Sequence, residues 1–120
     1  SYVPPLAFID SHAHLASEDL APHVDALMER LMAAGGEGVV CIGESLTAAA
    51  RARSFAARFP SRLWFTAGVH PHDAAGFDPV RDTEAIASEL EQGAVAVGEC
   101  GLDYHYDHSP RALQRRAFAA

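Results

Sequence analysis

Four times in 120 residues a short apolar run gives way to a stretch of helical character, and this alternation limits the fold more than any other feature. The runs are Leu6-Ala-Phe-Ile9, Val39-Val-Cys-Ile42, Leu63-Trp-Phe-Thr-Ala67 and Ala94-Val-Ala-Val97. They are continuous rather than alternating, the pattern of strands covered on both faces. After the first, Val24, Leu27, Met28, Leu31 and Met32 recur at helical spacing, and Gly35-Gly36 stops the helix. The alanine-rich stretch from Leu46 to Phe59 predicts a second helix, ended by Pro60. Asp82 or Thr83 caps a third, which turns Ile86 and Leu90 inward and stops at Gly93. Ser109 at the cap and Pro110 at the first position open a fourth. Strand-then-helix units in series, with short connections, predict an α/β fold with a parallel sheet and right-handed crossovers.

The polar residues fall where such a fold keeps its chemistry. Sites in parallel α/β folds lie at the C-terminal ends of the strands. The first strand ends in His12 and His14, the third in His70 and His72, and the fourth in Glu99 and Asp103. The second ends in Gly43-Glu44-Ser45, which is less distinctive. Three of four strand ends carrying ligand-type residues point to one shared site.

Composition closes other doors. The chain is 49% apolar and 21% charged, the balance of a globular protein of one small domain or a piece of a larger one. No apolar run approaches the roughly 18 to 20 residues of a membrane span, and no leader pattern opens the sequence. Two cysteines are too few to frame a secreted module, so a reducing, cytoplasmic setting is expected. The net charge of −7 argues against a nonspecific nucleic-acid coat of basic side chains. It leaves open an enzyme that meets phosphate through bound metal ions, whose charge the count omits.

In Asp10-Ser-His-Ala-His14 the imidazoles stand at i and i+2, a spacing that puts both on one face of a strand, within reach of one ion. The plain alternative is a pair of hydrogen-bonded or exposed histidines; their place at the end of an apolar strand favours metal. Glu99 alone is as good a solvated or arginine-paired glutamate as a ligand, and the histidine pair tips it toward metal. In Gly68-Val-His-Pro-His72, His70 suits a phosphate contact, a proton donor or a further ligand, and proline stiffens the loop. His72 is equally balanced between such a role and plain packing. Asp103 either orients a ligand from behind or caps a local turn. His105 and His108 lie past the strand end and are expected to be surface residues. Cys100 has no helix opening after it and a carboxylate beside it, so a packed, unreactive thiol is expected.

These clusters, in this order, resemble the TatD family of metal-dependent deoxyribonucleases, within the amidohydrolase-like barrels. The matching stretches are Phe8-Ile-Asp-Ser-His-Ala-His-Leu15, Thr66-Ala-Gly-Val-His-Pro-His-Asp73 and Val97-Gly-Glu-Cys-Gly-Leu-Asp-Tyr104, with Gln114 to Phe118 fitting the helix that follows. The resemblance implies a TIM-type barrel, two divalent cations and phosphodiester hydrolysis, commonly 3′-to-5′ on DNA. It implies that His12 and His14 hold one metal, that Glu99 bridges both, and that His70 lies near the scissile phosphate. His72 and Asp103 would stand behind the ligands or against substrate. Two histidines and a carboxylate suit Zn, Mn, Fe or Ni, and Mg less naturally.

The sequence departs from the family at Ala16, where Asp or Asn is usual, and in length. A closed eight-stranded barrel takes about 250 residues, so residues 1–120 are expected to be the N-terminal half of a single barrel domain, about four of eight units. By themselves they are expected to be weak or inactive as a catalyst. Two other readings compete: an amidohydrolase-like enzyme acting on an amide, ester or lactone, and a non-catalytic half-barrel that pairs with itself or a partner.

Overall fold

The structure, a computed structural model, describes residues 6–120. Its strands are β1 (Phe8–Ala13), β2 (Gly36–Cys41), β3 (Leu63–Ala67) and β4 (Ala96–Val97). Helices α1 (Val24–Ala33), α2 (Leu46–Arg58) and α3 (Arg81–Glu91) cross between successive strands, and α4 (Arg111–Ala119) follows the last. All pairings are parallel and the sheet order is β1-β2-β3-β4, so each crossover delivers the chain to the next position in a curled sheet. This is the (β/α) arrangement of a TIM-type barrel over four units.

The core lies between the sheet and the first two helices. Val24 and Met28 of α1 and Ala48, Ala52 and Phe55 of α2 pack on Val39, Cys41, Leu63 and Phe65. Burying a side chain the size of Met28 or Phe55 contributes about 1.5–3 kcal/mol. Alanines let α2 sit close to the strands, and Gly43 makes that approach feasible. A Cβ at Gly43 would lie 2.2 Å from the Thr66 carbonyl oxygen and 2.8 Å from Ala49. Ser45 accepts a hydrogen bond from the Ala48 amide (3.1 Å), so α2 starts directly after the β2 strand end. Burial pushes the Cys41 thiol up to about 11, and it is an inert core sulfur.

Several expectations are corrected. The first strand is not buried: five of its six residues are exposed, with Ile9 at 55%. β4 is exposed too, and only two residues long. Both lie at the edges of the sheet, each with a strand on one side only, so continuous apolar runs here mark exposed edge strands rather than covered ones. Met32 is exposed, and Leu90 and Ile86 line an open groove instead of a closed core. The third helix is capped by Asp78, whose Oδ1 accepts from the Val80 and Arg81 amides (3.1 and 2.8 Å). Asp82 lies inside the first turn, where its carboxylate accepts from the Asp78 amide (2.7 Å) and the Arg81 guanidinium. Thr83 takes no part. Ser109 does not cap α4, which begins at Arg111; its buried hydroxyl donates to the His72 carbonyl (2.7 Å) and accepts from the Ala75 amide (3.2 Å).

Candidate metal centre

The ends of all four strands meet at one cleft of about 350 Å3 lined by His14, Glu44, His70, His72, Asp73 and Glu99. His12 and His14 project from the same face of β1, with their Nε2 atoms 3.2 Å apart. Glu99, two residues past β4, brings Oε2 to 3.4 Å from His12 Nε2 and 3.7 Å from His14 Nε2. Thr66, at the end of β3, holds this approach. Its hydroxyl donates to the Gly98 carbonyl (2.6 Å) and accepts from the Gly43 amide (3.2 Å), joining the ends of β2 and β4.

These three donors fit a cation. Ligand bonds of about 2.0–2.1 Å at a tetrahedral ion put donor atoms about 3.3–3.4 Å apart, close to the three observed edges. Two neutral imidazoles and a carboxylate are also the donor chemistry of a borderline divalent metal. Among the described residues, His12, His14 and Glu99 are the group with ligand atoms close enough to share one ion.

Glu44, which the sequence left undistinguished, is part of the site. Its Oε2 pairs with His14 Nδ1. A ring that donates Nδ1–H to a carboxylate keeps the Nε2 lone pair for the opposite side, where His12 and Glu99 are. The signal available was only position: Glu44 ends a strand, and its partner lies 30 residues away. Replacing Glu44 by Ala is expected to weaken divalent-cation affinity about 10- to 100-fold, the usual cost of losing a partner behind a ligating histidine. Isothermal calorimetry checks it, and unchanged affinity would show that the pair is idle.

His70 is oriented the other way. Its Nδ1 accepts the His72 amide (3.1 Å), so the neutral ring carries its proton on Nε2, which faces Glu99 Oε1 at 3.3 Å. That tautomer, assigned from the hydrogen bond, makes His70 a donor at the cleft and not a neutral metal ligand. Glu99 therefore turns one oxygen to the histidine pair and the other to His70.

His72 Nε2 pairs with Asp103 Oδ2. The hydrogen bond from His72 comes first in holding the Asp103 carboxyl below its ordinary range, with the Tyr106 and His105 amides adding to it. Asp103 thus caps a turn, one of the two roles the sequence allowed, and its other oxygen pairs with His72. Gln114, fully buried on α4, fixes the same loop. Its Oε1 accepts from the Asp103 amide (2.7 Å), and its Nε2 donates to the carbonyls of Asp103 (3.0 Å) and Ser109 (2.8 Å). In the sequence Gln114 only opened the stretch that fits the family's helix, with no sign of these bonds. One expectation fails here: Cys100 is exposed. His108 is a surface residue as expected, and its ring meets that of His72 with centroids 4.4 Å apart.

Comparison with known proteins places this geometry. The chain is similar to proteins named 3'-5' ssDNA/RNA exonuclease TatD, at 37% identity for that of Salmonella typhimurium and 40% for that of Enterobacter lignolyticus. Each alignment covers 92% of this chain and 42% of the relative, so the chain spans less than half the length of the relatives it matches. A TatD family hydrolase from Entamoeba histolytica has the same fold (TM-score 0.81, 21% identity, 93% of this chain and 43% of that one). A TatD homolog from Escherichia coli is likewise similar (TM-score 0.78, 26% identity, 93% and 44%). The family model described as TatD related DNase matches residues 9–120, from the second residue of β1 through α4, and so includes every strand end of the cleft. This chain belongs to the TatD related DNase family.

Proposed function

We propose that the protein built on this chain hydrolyses phosphodiester bonds of DNA, removing nucleotides 3′-to-5′, with two divalent cations. The observation that carries the reading is the His12–His14–Glu99 triangle at the strand ends of a TatD family chain. His12 and His14 would hold an ion through Nε2, with Glu44 fixing the His14 ring. Glu99 would complete that site and would be the residue shared with a second ion of the same class, Zn, Mn, Fe, Ni or Mg. Such ions supply Lewis acidity at phosphate oxygens and a bound water of lowered pKa. His70 offers Nε2–H to a phosphate oxygen, and His72, braced by Asp103, lines the space beside it.

Residues 1–120 are then the N-terminal half of one barrel domain, and the remaining ligands come from outside them. The two free cysteines suit a cytoplasmic enzyme, and among the described residues no helix is long and apolar enough to cross a membrane. The test is a single-stranded oligonucleotide labelled at either end, offered to the metal-loaded full-length protein. Loss from the 3′ end that stops with a chelator is expected; intact strands with every metal tried would overturn the reading.

A second reading is favoured by one observation, the exposed apolar edges at Ile9, Val95 and Val97. Taken alone, the 120-residue chain is expected to self-associate through them, its mass by light scattering rising with concentration. A concentration-independent monomer would contradict this.

A further inference from the structure

Next to the cleft a row of aromatic rings leads away from the proposed metal centre. His70 and His72 meet at 4.2 Å between centroids and 71° between planes, and His72 and His108 at 4.4 Å and 69°. Tyr106 continues the row, stacked on His108 at 5.7 Å and 15°. Since His70 Nε2 lies 3.3 Å from Glu99, the row begins at the proposed metal ligands themselves. Its far end is open, with Tyr106 66% exposed. Tyr104 differs: the Arg111 guanidinium covers its ring at 4.5 Å and Arg115 binds its hydroxyl.

The row is held in place from behind. Asp103 takes His72 on one oxygen and the His105 and Tyr106 amides on the other. Ser109 ties the loop to the His72 carbonyl, and Gln114 clamps both ends of it from α4. These bonds fix the His72 ring and the loop backbone at Tyr106, which lowers the ordering cost when a ligand stacks there. His72 and His108 also have room in front. A second cleft of about 500 Å3, bounded by Ser45, Arg81 and His108, adjoins the first and shares His72 and Asp73 with it.

Charge decides what such a surface can hold. The loop carries Asp103 and Asp107; Arg111 is paired with Asp107 and Arg81 with Asp82, while Arg115 is held by the Tyr104 hydroxyl. The Tyr106 and His108 faces thus offer a phosphate backbone little positive charge, whereas the face of a base needs none. Base–aromatic stacking is indifferent to sequence and demands an unpaired base.

We propose that Tyr106 and His108 form a stacking platform for the unpaired base of the nucleotide whose phosphate occupies the metal cleft, giving the enzyme its preference for single-stranded nucleic acid. This rests on the nuclease reading for the identity of the ligand. Neither ring reacts; both position the strand, with His72 joining them to the cleft.

The experiment is fluorescence anisotropy with full-length, metal-loaded protein and two labelled single-stranded oligodeoxynucleotides. One carries normal bases and the other abasic residues at its three 3′-terminal positions. Wild type is expected to bind the first more tightly, about five- to 150-fold for each stacked base. The double variant Tyr106→Ala/His108→Ala is expected to bring that ratio close to one, while Tyr106→Phe, which keeps the ring, retains it. Metal content equal to wild type shows that the variants are folded. An unchanged ratio in the double variant, or none in wild type, would overturn the platform. Both strands carry hydrolysis-resistant phosphorothioate linkages at the 3′ end, so binding is read without turnover; a protein that prefers bases here but leaves an ordinary strand intact would sink the nuclease reading and not the platform.

Discussion

Replacing Glu99 by Gln is expected to lower the affinity for a divalent cation by more than about 100-fold. Loss of a partner behind a ligating histidine costs 10- to 100-fold, and Glu99 is a donor itself. Its Oε2 closes the triangle with His12 and His14 at 3.4 and 3.7 Å, and its Oε1 faces His70 at 3.3 Å. Glutamine keeps the size and an acceptor oxygen, so the substitution removes charge and little else. The Thr66 hydroxyl still holds the Gly98 carbonyl, which leaves the backbone approach in place. Calorimetry and metal content after dialysis both read the outcome. A Glu99→Gln protein that holds its ion as tightly as wild type would remove Glu99 from the site.

Replacing His70 by Ala is expected to lower kcat for oligonucleotide cleavage about 100- to 1,000-fold, the cost of losing one donor aimed at charge that develops in a transition state. The metal content should stay the same. The separation follows from the tautomer: with Nδ1 engaged by the His72 amide at 3.1 Å, the neutral ring presents a proton to the cleft, not a lone pair. Gln at this position can offer an amide N–H and is expected to recover part of the loss. If instead the ion leaves together with activity, His70 is a ligand and the hydrogen-bond assignment is wrong.

What the sequence revealed follows a physical division. Strand-and-helix alternation depends on neighbours in the chain, and each expected strand and helix is present in the expected order, although β1 runs on to Ala13, β2 begins at Gly36 and β4 keeps only Ala96–Val97. The i, i+2 spacing of His12 and His14 is equally local, and it survives as a pair of nitrogens 3.2 Å apart. What was missed depends on distant neighbours. Glu44 matters because β1 lies beside β2, and Gln114 because α4 lies under the 103–109 loop. Ser109 was read as a cap from its immediate context, while its hydroxyl serves a carbonyl 37 residues earlier. Asp78 took the capping role from Asp82 because its carboxylate stands before the helix and meets the Val80 and Arg81 amides, while that of Asp82 turns back to the Asp78 amide and the Arg81 guanidinium. Burial was the least legible property. An apolar run announces a strand, but whether a further strand lies beside it is not written in the run, and β1 and β4 lie at edges.

Native mass spectrometry of the full-length protein, loaded with excess divalent metal and exchanged into volatile buffer, tests the metal centre most directly. Two ions retained by wild type, and at most one after Glu99→Gln, is the expected result. Equal ion counts in the two proteins, or none in wild type, would contradict a centre built on His12, His14 and Glu99.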